Sequence, residues 1–147
     1  MAAILRVYGI MLLKGMGQTL LMTLLTLVIA TIIGMIFGLM NVGHNRVLNL
    51  IGTVYVDAIR GVPLIVLAYF VFFGIPAGMQ GMGMRGFRLS ALQAGTIALS
   101  LNCGAYMAEI IRAGIESVDR GQMEASRSLG LSYGSSMALV VVPQAVR

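Results

Sequence analysis

The chain contains no tryptophan, one histidine (His44), one cysteine (Cys103), one lysine (Lys14) and three prolines in 147 residues. A lone cysteine excludes an intrachain disulfide framework, and its place inside an apolar run makes it a small buried hydrophobe. His44 sits in a polar stretch with no second ligand type nearby, so it reads as a solvated loop residue rather than a metal or catalytic group. Charge is scarce as well. Only 10% of the residues carry it, against roughly a quarter in a soluble domain. None falls in 15–43, 61–84, 89–108 or 128–146, and each of these runs is near or above the ~20 residues that cross a bilayer core. The first is too long for a signal peptide and lacks its charged n-region and cleavage pattern. The net charge of +5 comes mostly from arginines scattered at the ends of apolar runs, where cations snorkel. That distribution does not suggest nucleic acid.

Hydrophobic residues make up 59% of the chain, and they fall into spans. Residues 2–16, with Arg6 and Lys14, read as a separate pre-helix at the interface. A first span is expected over 18–40. It holds Gly34-x-x-x-Gly38, a small-residue pattern that lets helices approach closely, although glycine is also simply frequent in membrane helices. The polar turn Asn41-Val42-Gly43-His44-Asn45-Arg46 ends it. A second span is expected over 48–73. Asp57 and Arg60 interrupt it early at a spacing that permits pairing on one face, and Pro63 weakens the helix there.

After a loop over 74–88, a third span is expected over 89–111, with Asn102, Tyr106 and Glu109 near its far end and Arg112 and Glu116 just beyond. An ionisable group inside an apolar helix costs about 2.5–3.5 kcal/mol on insertion scales, so it usually has a partner or a role. Arg112 at i+3 and Glu116 at i+7 would give Glu109 an ion-paired stripe. In the loop, Gly81, Gly83 and Gly86 spell a formal G-x-G-x-x-G. It is not a dinucleotide fingerprint, because no strand precedes it and a membrane helix follows. Met79, Met82 and Met84 offer soft thioether ligands to Cu(I), with a flexible extracytoplasmic loop as the plainer account. No G-x-x-x-x-G-K-[ST] string occurs, so ATP has no phosphate loop here. No nucleophile–base pair converges in sequence either.

The stretch Gly121-Gln122-Met123-Glu124-Ala125-Ser126-Arg127-Ser128-Leu129-Gly130 is a charged, small-residue helix between apolar segments. Asp119 to Gln122 has the form of a capping box, and Gly130 suits the position just past a helix end. Glu116, Arg120, Glu124 and Arg127 alternate in sign on one face, while Val118, Gln122, Ala125 and Leu129 fall on another. Small residues at Ala125, Ser126 and Gly130 permit close docking against another protein. So short a helix is not stable alone. An amphipathic interfacial helix without a partner is the alternative reading. Ser132 is placed to cap the next helix, and Pro143 should kink it.

With Pro143 in register, this segment resembles the E-A-A signature of permease subunits of bacterial ATP-binding-cassette importers: E-A-A, three residues, Gly, nine residues, Ile-x-Leu-Pro. Glu124, Ala125, Gly130 and Pro143 match; Ser126 stands for the second Ala, and Val140 and Val142 for Ile and Leu. Arg60-Gly61-Val62-Pro63-Leu64 is similar to the R-G-x-P-L element of amino-acid permeases. Ala105-Tyr106-Met107-Ala108-Glu109-Ile110-Ile111-Arg112-Ala113-Gly114-Ile115 is similar to the A-Y-x-A-E-I-x-R-G/A-G-I run of polar amino-acid importers. Lys14-Gly15-x-Gly17-x-Thr19-Leu20 and Pro143-Gln144-Ala145 extend the resemblance to nearly the whole chain.

The resemblance implies an all-α integral membrane protein: a polytopic helical bundle of the type I importer permease kind. About three full spans, a cytoplasmic coupling helix and the start of a fourth span are expected. Residues 1–147 would form one partial transmembrane domain, with the coupling segment at about 117–133. The implied function is the permease subunit of an ATP-driven polar amino-acid importer in the bacterial plasma membrane, with no cofactor, metal or catalytic residue of its own. Gly121, Glu124, Ala125, Ser126, Arg127, Gly130 and Pro143 would couple to the ATPase. Arg60, Pro63, Asn102, Tyr106, Glu109 and Arg112 would belong to the translocation path or its gate. The implied partners are a separate ATPase subunit, an extracytoplasmic solute-binding protein, a second permease copy or homologue, and the lipid bilayer. Arginines and Lys14 divide almost evenly between the two sides, so charge does not set orientation; the resemblance places the amino terminus outside. Members of that family continue past P-Q-A-x-R, so a partial chain is expected. Two alternatives stand beside this reading, a copper-handling membrane protein using the methionine loop and a non-transporting membrane anchor.

Overall fold

A long apolar segment in lipid has no water to satisfy its backbone, so it must bond internally, and this chain does so as helices. The computed structural model describes the backbone of residues 2–43 and 45–146, and the side chains of 8–43 and 45–146. His44 and the Arg6 side chain lie outside the described residues. Helix α1 runs Ala2–Val42 and α2 Arg46–Gly61. Next, α3 (Leu64–Tyr69), a π-helical turn (Phe70–Gly74) and α4 (Ile75–Gly81) follow one another without a break. Helix α5 is Ala91–Glu116 and α6 Arg120–Ser128. The chain then forms α7 (Tyr133–Ser136), a second π turn (Met137–Val141) and α8 (Val142–Ala145). No strand occurs among the described residues. Three helical segments are long and apolar enough to cross a membrane: Tyr8–Val42, Leu64–Gly81 and Ala91–Glu116.

Two expectations change. The pre-helix and first span are one helix, because Gly15 and Gly17 each cost only about 1 kcal/mol relative to alanine and no proline separates them. The second span moves from 48–73 to Leu64–Gly81. Val62 and Pro63 are extended, with ψ of 129° and 136°. Proline disfavours a helical residue before it and offers no N–H, so the rod breaks there. The loop expected over 74–88 shrinks accordingly, and the turn into α5 occupies 82–90.

The ends are capped by short polar side chains. Asn45 accepts from the Val47 and Leu48 amides at the start of α2. Ser90 and Gln93 form a reciprocal capping box on α5. Ser132 caps α7, as its position suggested. Each π turn ends two residues ahead of a proline, Pro76 or Pro143. A proline ring presses on the carbonyl four residues back, and a widened turn moves that carbonyl aside. The kink expected at Pro143 takes this form.

Helix α5 is the centre of the bundle. Its small residues Ala105 and Ala108 are fully buried, and α1 lies against them. A Cβ at Gly34 would stand 2.5 Å from the Met107 Cβ, and one at Gly38 would stand 3.0 Å from the Ala108 carbonyl oxygen. The Gly34-x-x-x-Gly38 pattern is therefore a packing face. Leu67 and Val71 from the α3 rod cover Ala94 and Ala98 in the first half of α5. Helix α2 crosses the second half; Tyr55 stacks on Phe37 at 4.0 Å and donates to the Leu101 carbonyl at 2.8 Å. On the far side of α1, Leu20, Leu24, Val28 and Ile32 stay exposed. A stripe of that length is foreign to a soluble surface and faces acyl chains.

Candidate functional site

Two polar regions interrupt this apolar bundle. In the first, Glu109, Arg112 and Glu116 stand on one face of α5, three and four residues apart. The Arg112 guanidinium donates to both oxygens of Glu109, from Nε at 3.3 Å and also from Nη2, and from Nη1 to Glu116 at 2.6 Å. Arg60, in the last turn of α2, reaches Glu109 at 3.8 Å. It also lies over the Tyr106 ring, 5.2 Å from its centroid. Pro63 caps the next helix three residues further on, so the break in the rod adjoins the cluster.

The pairing is not symmetric. Arg112 holds Glu109 through hydrogen bonds within one helix, whereas Arg60 holds it from another helix at a distance that gives Coulomb attraction without a hydrogen bond. A cavity of about 310 Å³ opens beside the cluster, lined by Asn41, Asn49, Asp57, Arg60, Glu109 and Arg112 among others. Asn49 donates to the Asn41 carbonyl at 2.6 Å and so ties α2 to the end of α1.

Arg60, Tyr106, Glu109 and Arg112 thus come together in one cluster, and Pro63 borders them. Asn102 does not join: it is half-buried two turns earlier on α5 and does not line the cavity. Asp57 does not pair with Arg60, because that arginine finds a carboxylate and an aromatic face on α5 instead. Asn41, Asn49 and Asp57 were not singled out as site residues. Asn49 and Asp57 sit eleven and three residues before Arg60 on a helix, which places the three along one side of it; that periodicity was the available signal.

The second region is α6. Asp119 accepts from the Gly121 amide at 2.6 Å. Gln122 does not complete the capping box; its side-chain oxygen accepts from the Gln144 carboxamide at 3.3 Å. At the other end Gly130 has φ of +88°. Its amide bonds the Arg127 carbonyl at 3.0 Å, and the Leu131 amide bonds the Ser126 carbonyl at 3.3 Å. This is a Schellman motif, and the left-handed backbone it demands is what glycine provides.

The faces of α6 differ from expectation in two respects. Ser126 is buried, with its hydroxyl on the Met123 carbonyl at 2.9 Å. It seats the helix on its own fold and does not face outward for docking. Glu116 belongs to α5, where Arg112 claims it, and the turn over 117–119 removes it from the face of α6. Glu124, Ala125, Arg127, Leu129 and Gly130 do point outward, with Leu129 85% exposed. Arg120, Glu124 and Arg127 make no ion pair among the described residues. Gly121 is exposed beside the Asp119 cap, and Pro143 is exposed beyond the second π turn.

The second region is thus a helix of nine residues, capped at both ends and hung between two apolar segments. Residues 30–147 match the family described as binding-protein-dependent transport system inner membrane component. The chain belongs to that family. It is a multi-pass helical protein of the cell membrane, and its similar relatives are amino-acid permeases. The probable glutamine ABC transporter permease protein GlnM of Bacillus subtilis (strain 168) is 38% identical over 93% of this chain and 60% of its own length. The arginine transport system permease protein ArtQ of the same organism is 36% identical over 92% and 59%. A crystal structure of an amino acid ABC transporter with histidines superposes with a TM-score of 0.73 at 35% identity, covering 93% of this chain and 64% of that one. The chain spans about 60% of the length of the curated relatives it matches.

Proposed function

We propose that this chain is the membrane-spanning subunit of an ATP-driven amino-acid importer, residues 1–147 forming part of its transmembrane domain. The observation that carries this is the outward face of α6: among the described residues, Glu124, Arg127 and Leu129 stand free of ion pairs and burial on a helix fixed at both ends. The coupling segment, 117–133, docks in the cytoplasm on a separate ATPase subunit, which binds and hydrolyses the ATP. Gly121, Glu124, Ala125, Arg127 and Gly130 meet that subunit. Ser126 holds the helix from behind, and Pro143 with its π turn lets the following helix move. An extracytoplasmic solute-binding protein delivers the amino acid on the opposite side, near the amino terminus. A second permease copy or homologue completes the path.

The α5 cluster belongs to the gate in this reading. Arg60 joins α2 to α5 through its weakest link, the 3.8 Å approach to Glu109, next to the chain break at Pro63. When α2 withdraws, Arg112 keeps the Glu109 carboxylate paired, so the opened state leaves no bare charge on α5. Tyr106 offers the departing guanidinium an aromatic face. Asn102, two turns away, lines the path rather than the gate.

The test is co-purification. The chain should bring down an ABC ATPase, and Gly130→Asp should abolish this by straining the Schellman turn and adding a charge at the docking face. A thiol introduced as Leu129→Cys in a Cys103→Ala background should react with an impermeant reagent from the cytoplasmic side alone. Labelling from outside would overturn the reading.

A further inference from the structure

The coupling helix and the helix that follows it are joined along the chain by soft parts. After α6 come the Gly130 turn, four residues of α7, the second π turn and Pro143. A push or pull on α6 sent along that route would be absorbed by the turn and the π-helical bulge. One side chain bypasses it. The Gln144 carboxamide donates to the Val140 carbonyl at 3.0 Å, one turn back, and to the Gln122 side-chain oxygen on α6 at 3.3 Å. This hydrogen bond crosses from α6 to another helix. The next residue is equally well placed: the Ala145 carbonyl lies against Gly114 of α5, where a Cβ would meet it at 3.1 Å. Residues 144–145 therefore touch the coupling helix on one side and α5, with its ion cluster, on the other.

We infer that Gln144 and Gln122 are a positioning pair that makes α6 and the turn of α8 move as one body. The packed seat of Met123 and Ser126 resists a push, but it resists sliding poorly, because burial contacts have no direction. A hydrogen bond resists separation along its axis. This inference rests on the proposed role of α6 and adds two residues to it.

The experiment uses the chain assembled with its ATPase and solute-binding protein in proteoliposomes, reading ligand-stimulated ATP hydrolysis and the amino acid imported per ATP. Gln144→Leu and Gln122→Leu should each lower import per ATP by roughly three- to ten-fold, the scale of one net hydrogen bond, while the ATPase still co-purifies. The double variant should be no worse than either single one, since both remove the same contact. The charged pair Gln122→Glu with Gln144→Lys should restore most of the loss, which a merely structural role in α8 would not predict. Unchanged import per ATP in both single variants, or losses that multiply in the double variant, overturns the pair while leaving the docking role of α6 standing. Failure of the unaltered chain to retain the ATPase overturns both.

Discussion

Helix α5 meets α1 and α2 on different terms. Toward α1 it presents Gly104, Ala105 and Ala108, and the backbones close to the point where a single Cβ at Gly34 would collide. Toward α2 it presents Tyr106, Glu109 and the Leu101 carbonyl, met by Arg60 and Tyr55. The first seam has one arrangement, because close-packed small residues leave nothing to rotate into. The second is made by long side chains with alternative partners at hand. Seams of the first kind hold a bundle together, and seams of the second kind can be undone and remade at little cost.

Four substitutions grade this difference. Gly34→Leu should be the most damaging, at about 3 kcal/mol, since the new side chain meets backbone and a Cβ that cannot swing aside. The midpoint of denaturant-driven unfolding in detergent measures it. Arg112→Met should cost about 2 kcal/mol by leaving Glu109 and Glu116 short of a cation, less than in a dry core because about a third of the Arg112 and Glu109 side chains and half of Glu116 are open. Tyr55→Phe removes one hydrogen bond and should cost about 0.5–1 kcal/mol by the same assay. Arg60→Ala should cost about 0.5 kcal/mol, the worth of a long ion pair and an open cation–π contact, yet transport should leak or stall. A stability loss for Arg60→Ala rivalling that of Gly34→Leu would erase the distinction between the two seams.

Much of this was legible beforehand because it rests on local rules. Gly34 and Gly38 announced a close approach, Gly130 announced the end of α6, and Glu109, Arg112 and Glu116 announced their own pairing by spacing. The second span was misplaced because apolar residues continue through α2, on the side it turns to lipid and to α1. The charge-free run 61–84 was the better guide, and Pro63 marked where the rod starts again. Ser126 is buried where an outer contact was expected, because a small polar residue fits an inner seat as well as an outer contact, and periodicity on nine residues does not choose between them. The partners of Arg60 and Gln144 were beyond reach, since each lies on another helix and depends on how the helices cross. Gln122 shows the limit: its capping-box spacing was right, and a distant carboxamide outcompeted the local bond.

Helix α1 has 41 residues, and at 1.5 Å each it rises roughly 60 Å, about twice the thickness of a hydrocarbon core. Its side chains from Ile10 to Met16 are apolar and outward-facing except for Lys14 and Gly15, so the rod carries no sharp waterline. Membranes a few ångström thinner or thicker can slide along it without stranding a charge until they reach Lys14.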